Sequence, residues 1–386
     1  MMSLPLWKIK RELKRQGRQL KNIGPRLASL LFSRTYYDLF LSGKKTVTEG
    51  QIPKRPKVAV YLIFPSSGIL GSHIEALRYL AQNGYAPVVV SNLPLDEGDL
   101  EHLRAHAHLV IQRPNYGYDF GGYRDGVLEV AARHTSVERF VLLNDSAWFP
   151  LPGSRNWLAD AEALELDFAG AATNYGHTRV DPKNFRDIRW HYSSNHRNFH
   201  YCSFALMMSG KLFNDKRFQR FWKSFPLTND KTVTVRRGEI GLTKWVIQQG
   251  FSHGSTLDIA ALDQRLAEYG IDELRAIAAQ TLMPQSPSMK EVLEDTVRSA
   301  ESKEDLVNVI LTAIARKGIS YAQPRLIHRD YGFAFLKKSP LWLDEDASNL
   351  TLAFTRDLDG EFGKVLQAEA LDLRRTRAAE FAPAPD

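Results

Sequence analysis

The chain has 386 residues, of which 44% are apolar and 25% charged, ordinary values for a globular protein of about two domains or one large α/β domain with additions. Its single cysteine, Cys202, excludes an intramolecular disulfide and fits a reducing compartment. No apolar run reaches the roughly 18 residues of a membrane-spanning helix, and the N-terminus lacks a signal peptide's apolar core, so the expected location is cytoplasmic.

The formal charge of +7 is unevenly spread. Residues 1–55 hold 13 Lys and Arg against Glu12, Asp38 and Glu49, a net +10 that leaves −3 for the remainder. Leu6, Ile9, Leu13, Leu20 and Ile23 fall on one face of a helix, with basic residues on the other sides. Such a helix suits an anionic membrane surface, with Leu27 to Phe32 and Tyr36 to Leu41 extending the contact. Packing on the protein's own body and a nucleic-acid arm are the alternatives. The expectation is a peripheral protein on the inner face of the cell membrane, with no nucleic-acid partner. Pro53 and Pro56 mark the end of this leader, taken as 1–56.

The main body opens with a buried strand, Val58 to Phe64, and a Pro65-Ser-Ser-Gly68 loop. A helix follows, ending at Gly84. Pro87 to Asn92 reads as a second strand, Asp96 to His106 as a polar helix and Leu109 to Gln112 as a third strand. A helix running to about Arg133 and a fourth strand, Phe140 to Leu143, complete the alternation. Strands and helices at this pitch predict a mostly parallel sheet with helical crossovers. Further on, Phe168 to Ala172 and Phe199 to Met208 read as strands and Phe213 to Trp222 as a helix. Ser288 to Arg316 reads as one or two helices, with Ser288 and Glu291 spaced as a capping box. The tail after Arg374 is expected to fray.

Two stretches stand out. The fourth strand ends abruptly in Asn144-Asp145-Ser146. Ligands of open α/β sheets bind beyond the carboxyl ends of strands, where an Asp can hold a divalent metal and the metal a diphosphate. An Asx-turn capping the strand is the bland alternative. The second stretch is Asn115-Tyr-Gly-Tyr-Asp-Phe-Gly-Gly-Tyr123, between a strand and a helix. Asp119 is placed to cap that helix, and its glycines permit close backbone approach. The spacing is neither a dinucleotide fingerprint nor a P-loop.

Taken together, Asn115-x-Gly-Tyr-Asp-Phe-Gly-Gly-Tyr123 followed by Leu142-Leu-Asn-Asp-Ser146 and Pro150 resembles the rhamnan synthesis protein F family of glycosyltransferases. More distantly it resembles inverting enzymes of the GT-A nucleotide-diphospho-sugar fold. The resemblance covers about residues 57 to 343 and includes Cys202-Ser203 and Phe333-Ala-Phe-Leu-Lys337. It implies a GT-A-like domain at 57–255, an α-rich extension at 256–345, and a C-terminal helix and tail at 346–386. Asn115, Gly117, Asp119, Asn144, Asp145 and Ser146 would then bind the nucleotide sugar. Glu239, followed by Leu242 and Gly250 at the family's spacing, inherits the role of base. Asp145 and His253 fall where the family holds a divalent cation, Mg or Mn; Asn144-Asp145-Ser146 departs from the family's Asp-x-Asp by keeping one carboxylate.

The implied reaction is inverting transfer of L-rhamnose from dTDP-L-rhamnose to a polysaccharide or lipid-linked glycan. Such chemistry needs one base for the acceptor hydroxyl and charge stabilisation for the leaving diphosphate. Glu239 at a helix start would have its ionised form favoured by the helix dipole. Trp190, Tyr192 and Tyr201 suit a sugar subsite or core packing equally, while His191, His196 and His200 lack the spacing of a zinc site. The alternatives are a non-catalytic sugar-nucleotide or glycan-binding protein of the same fold and a membrane-recruited scaffold.

Overall fold

The apolar runs form one eight-stranded sheet. Its strands are β1 (Thr46–Glu49), β2 (Lys57–Ile63), β3 (Tyr85–Ser91), β4 (Leu109–Gln112), β5 (Arg139–Asn144), β6 (Phe168–Gly170), β7 (Ala205–Ser209) and β8 (His253–Ser255), in the order β1-β4-β3-β2-β5-β7-β6-β8. Six strands run in one sense and β1 and β7 oppose them, which is the mostly parallel α/β sheet expected. The computed structural model describes residues 32–377.

Strand periodicity divides the core in two. Ala59, Tyr61 and Ile63 of β2, with Val141 and Leu143 of β5, face one cluster; Val58, Val60, Leu62, Phe140 and Leu142 face the other. The first face is covered by α1 (Gly71–Gln82) and by the C-terminal extension. The second carries α3 (Tyr118–Arg133), α4 (Lys216–Lys223) and α5 (Gly241–Gln248); the short α2 (Glu97–Arg104) leads into β4. α3 lies close on the sheet because Gly122 meets Leu62: a Cβ there would come within 2.3 Å of Leu62 Cδ1. Beyond β8 the chain is mostly helical, with α6 (Ile271–Ala279), α7 (Pro287–Ser299), α8 (Lys303–Lys317) and α9 (Pro324–Tyr331), followed by α10 (Glu345–Arg356) and α11 (Gly360–Arg377).

Several local expectations are corrected. Phe199 to Met208 is broken at Cys202–Phe204: His200–Tyr201 pairs with Thr173–Asn174, and only Ala205–Ser209 joins the main sheet. The helix predicted over Phe213 to Trp222 is interrupted, because Asp215 accepts the Arg217 N–H and starts α4. Ser288 caps nothing; α7 begins at Pro287 after Ser286, since proline favours the first helical position.

The second half of the leader packs on the body. Thr46–Glu49 pairs antiparallel with β4, and the fully buried Tyr37 donates its hydroxyl to Asp125. Asp38 pairs with Arg124 at 2.8 Å. Phe32, Tyr36, Leu39 and Phe40 stay exposed. The basic helix expected over residues 6–23 lies outside the described residues.

Candidate active site

β5 ends at Asn144, beside the carboxyl end of β2. The backbone then turns: Asp145 N–H donates to Leu62 O at 3.0 Å, and Ser146 N–H to Asn144 Oδ1 at 3.2 Å. Asp145 Oδ2 accepts the Phe64 N–H at 2.8 Å and lies 3.5 Å from His73 Nε2. The other His73 nitrogen, Nδ1, accepts the Leu70 N–H at 3.1 Å. Burial pushes the Asp145 carboxyl up. His73, Lys338 and the Phe64 N–H outweigh burial and leave it below the usual range.

The two motif stretches meet here. Asn144 Nδ2 donates to Asp119 Oδ2 at 3.1 Å. Asp119 is therefore not the expected helix cap: Gly117 occupies that position with φ 83° and gives its N–H to Asn229 Oδ1 at 2.7 Å. Burial first, and then the charge of Asp145, raise Asp119 to about 6. The corner thus holds one carboxyl pushed up and one pulled down.

Glu239 faces the same space and contributes to the rise of Asp119. It does not sit at a free helix start. Lys231–Val235, the π-turn Arg236–Ile240 and α5 form one run, capped by Asp230, so the helix-dipole reading of Glu239 is corrected. π-turns inside helices concentrate at functional sites. Gly238 lets the turn lie on Phe120, whose ring would be 2.3 Å from a Cβ there. Glu239 Oε1 accepts the Ser203 hydroxyl at 2.6 Å, and Oε2 lies 3.6 Å from His200 Nε2. Tyr123, buried on α3, holds the Ser203 carbonyl at 2.7 Å.

The C-terminal extension closes the site. Leu336–Lys337 pairs antiparallel with Ala147–Trp148, and Lys337 Nζ donates to Ser146 Oγ at 3.1 Å. Lys338, 6% exposed, lines a cavity of about 320 Å³ with Phe64, His73, Asp145, Glu369 and Arg377. Glu369 on α11 accepts the Ser72 N–H and the Trp148 indole N–H, each at 2.8 Å, which fixes that wall.

Sequence reasoning missed His73, Lys338 and Glu369. Nothing in their spacing marks them, because residues 73, 145, 338 and 369 meet only in the fold. Lys337 and Ser203 did carry a signal, as members of quoted motifs.

Asn115 is exposed in the loop before α3. One expected member lies elsewhere. His253 pairs with Phe168, which lies level with Met208 and Phe140. That is the opposite end of the sheet, about 13 Å along the strands and about 14 Å across them from Asn144. Its Nδ1 is occupied by the Tyr201 hydroxyl at 2.7 Å, so His253 shares no metal with Asp145. Tyr201 is itself core, 2% exposed between Phe168 and Phe199.

The expected divalent cation fits this donor set poorly. Asn144 and Ser146 bond each other, Asp145 is engaged by Phe64 and His73, and among the described residues no three His, Cys, Asp or Glu are placed to hold a metal.

The profile of rhamnan synthesis protein F matches residues 87–320. The chain belongs to that family. An uncharacterized protein, y4gN, of Sinorhizobium fredii is 34% identical over 248 residues, 64% of this chain and 60% of its own length. The chain thus spans about 60% of the curated relative it matches. Among solved structures, the mannosyltransferase PcManGT from Pyrobaculum calidifontis, in complex with GDP-Man and Mn2+, is similar at TM-score 0.31 and 14% identity over 94% of each chain. Core-mannan synthase A from Aspergillus fumigatus, in a Mn/GDP form, is similar at TM-score 0.25 and 10% identity over 45% of this chain and 65% of its own. Likeness at this level transfers no residue roles.

Proposed function

We propose that this protein is a glycosyltransferase that moves a sugar from a nucleotide-diphospho-sugar to a hydroxyl of a polysaccharide or lipid-linked glycan. One observation carries the reading. Asp119, Asp145 and Glu239, from three separate elements, converge at the carboxyl end of β5, with Asp119 in electrostatic reach of the other two and beside a cavity lined by Lys338 and Arg377 as well as by Asp145, Glu369 and Asp372. That is where open α/β sheets bind ligands.

Glu239 takes the acceptor hydroxyl's proton, and Ser203 keeps one of its oxygens oriented. The acceptor oxygen attacks the anomeric carbon as the bond to the diphosphate breaks, so configuration inverts. The family resemblance supports L-rhamnose from dTDP-L-rhamnose as donor, which inversion turns into an α-linkage. Asp145 is the carboxylate nearest to a role in holding Mg or Mn, but no step here depends on the metal. The basic leader supports a place at the anionic inner face of the cell membrane.

A thermal-shift and turnover panel of nucleotide sugars, with and without oligosaccharide acceptors, tests the proposal. Acceptor-dependent release of nucleoside diphosphate is expected from one of them. Donor binding without release under any acceptor would favour a non-catalytic sugar-nucleotide-binding protein. That second reading has its own support in the bonded Asn144 and Ser146 pair, where two carboxylates are expected.

A further inference from the structure

We infer that Lys337 and Lys338 supply the positive charge for the leaving diphosphate in place of a divalent cation, an inference that rests on the glycosyl-transfer reading above. Lys337 pairs with Ala147, and Lys338 N–H donates to Ser146 O at 3.0 Å, so these consecutive residues run alongside the corner. Neighbouring side chains of an extended segment point to opposite sides. Lys337 accordingly reaches Ser146 Oγ and stands 4.2 Å over the Phe204 ring, on the side of Asp119 and Glu239. Lys338 turns into the cavity beside Asp145, with its ammonium 5.5 Å from the Trp148 ring centroid. The two cations straddle Asn144-Asp145-Ser146.

Neither ammonium closes an ion pair within 4.0 Å among the described residues. For Lys338, buried at the cavity wall, that is a costly state unless an anion completes it; Lys337 is half-buried. Burial pulls both below the ordinary lysine range; Cys202, Glu239 and Asp119 oppose this at Lys337, and Asp145 and Glu369 at Lys338. A diphosphate lying across Asn144-Asp145-Ser146 favours the charged forms and gives each ammonium an oxygen acceptor. In the reaction, the electron pair of the breaking anomeric C–O bond leaves on the diphosphate oxygen. The two ammonium groups stabilise that charge by hydrogen bonding without giving up a proton, and the acceptor's proton goes to Glu239. The metal's expected task is thereby met by a site whose own donors suit a metal poorly.

Calorimetry on the full chain tests this, with UDP, GDP and dTDP as probes, in EDTA and again in Mg2+ or Mn2+. At least one probe should bind in EDTA, with affinity that falls as salt is raised. Lys337→Met and Lys338→Met should each weaken binding about tenfold or more. Lys337→Arg and Lys338→Arg should stay within a few-fold of wild type, which separates lost charge from lost fold. Wild-type binding only with Mg2+ or Mn2+, unchanged by either Met variant, would overturn the inference while leaving the glycosyl-transfer reading in place. Absence of binding to all three probes under every condition would overturn both.

Discussion

Asn144 and Asp119, 25 residues apart, are joined by a 3.1 Å hydrogen bond in which the amide donates. Through it the end of β5 fixes the first turn of α3. A carboxyl is thereby held in a half-buried place where its charge is disfavoured. The bond persists whether or not Asp119 is ionised, because the accepting oxygen needs no charge.

Asp119 should therefore make stability depend on pH. Its folded value, about 6, lies above its ordinary 3.8. The stabilisation from the retained proton is complete below the ordinary value and lost as pH rises through the folded one. Asp119→Asn keeps an acceptor for Asn144 and removes the titration. The stability of the variant relative to wild type should rise between pH 4 and pH 7 by about 1–3 kcal/mol. Urea unfolding across that range measures it, and a flat difference would refute the assignment.

Asp145 predicts the opposite slope. Its folded value is lowered, so its contribution is present above the ordinary carboxylate range and fades as pH falls through the folded value. Asp145→Ala orphans the Phe64 N–H and the facing His73 nitrogen, and should cost about 1–3 kcal/mol at pH 7. The same variant should bind nucleoside diphosphate more weakly, since the Phe64 loop lines the cavity. Unchanged melting temperature together with unchanged affinity would remove Asp145 from both roles.

Glu239→Gln separates chemistry from architecture. Its amide oxygen still accepts the Ser203 hydroxyl, so melting temperature should move little. A positioned base contributes typically about 10² to 10⁴ in rate, and turnover should fall by that factor, about 3–5 kcal/mol in the barrier. Donor affinity should hold. Turnover within a few-fold of wild type would make Glu239 a scaffold residue and turn attention to Asp119.

Two truncations divide the leader. Removing residues 1–31 should release the protein from anionic liposomes in moderate salt without changing melting temperature. Removing residues 1–49 should also lower melting temperature, because it removes Tyr37 from its buried contact with Asp125 and strips β1 from the sheet edge. Equal liposome binding by wild type and the shorter truncation would refute the membrane assignment.

The fold was legible where periodicity acts alone. Val58 to Ile63, Leu109 to Gln112 and Phe140 to Leu143 became strands because continuous apolar runs suit positions buried on both faces. The meeting of Asp119, Asn144, Asp145 and Glu239 was readable only through the family's motifs. Glu239's helix start was misread because a π-turn has no side-chain signature: Gly238 resembled a boundary and proved to be a contact with Phe120. His253 was misplaced because spacing from Gly250 says nothing about sheet register, which sets it at the level of Phe140. Glu369 was invisible because it meets Ser72 and Trp148 across 297 and 221 residues.

The π-turn at Arg236–Ile240 makes the length of this segment as consequential as its composition. Each residue of an ordinary helix advances the side-chain direction by about 100°. Losing one residue between Arg236 and Gly238 would let the run relax to regular pitch, and Glu239 could not keep both its heading towards Ser203 and its connection to Asp230. A single-codon deletion that spares every named side chain should thus be as damaging as replacing the carboxylate itself. Point substitutions on the exposed side of the same turn should pass almost unnoticed.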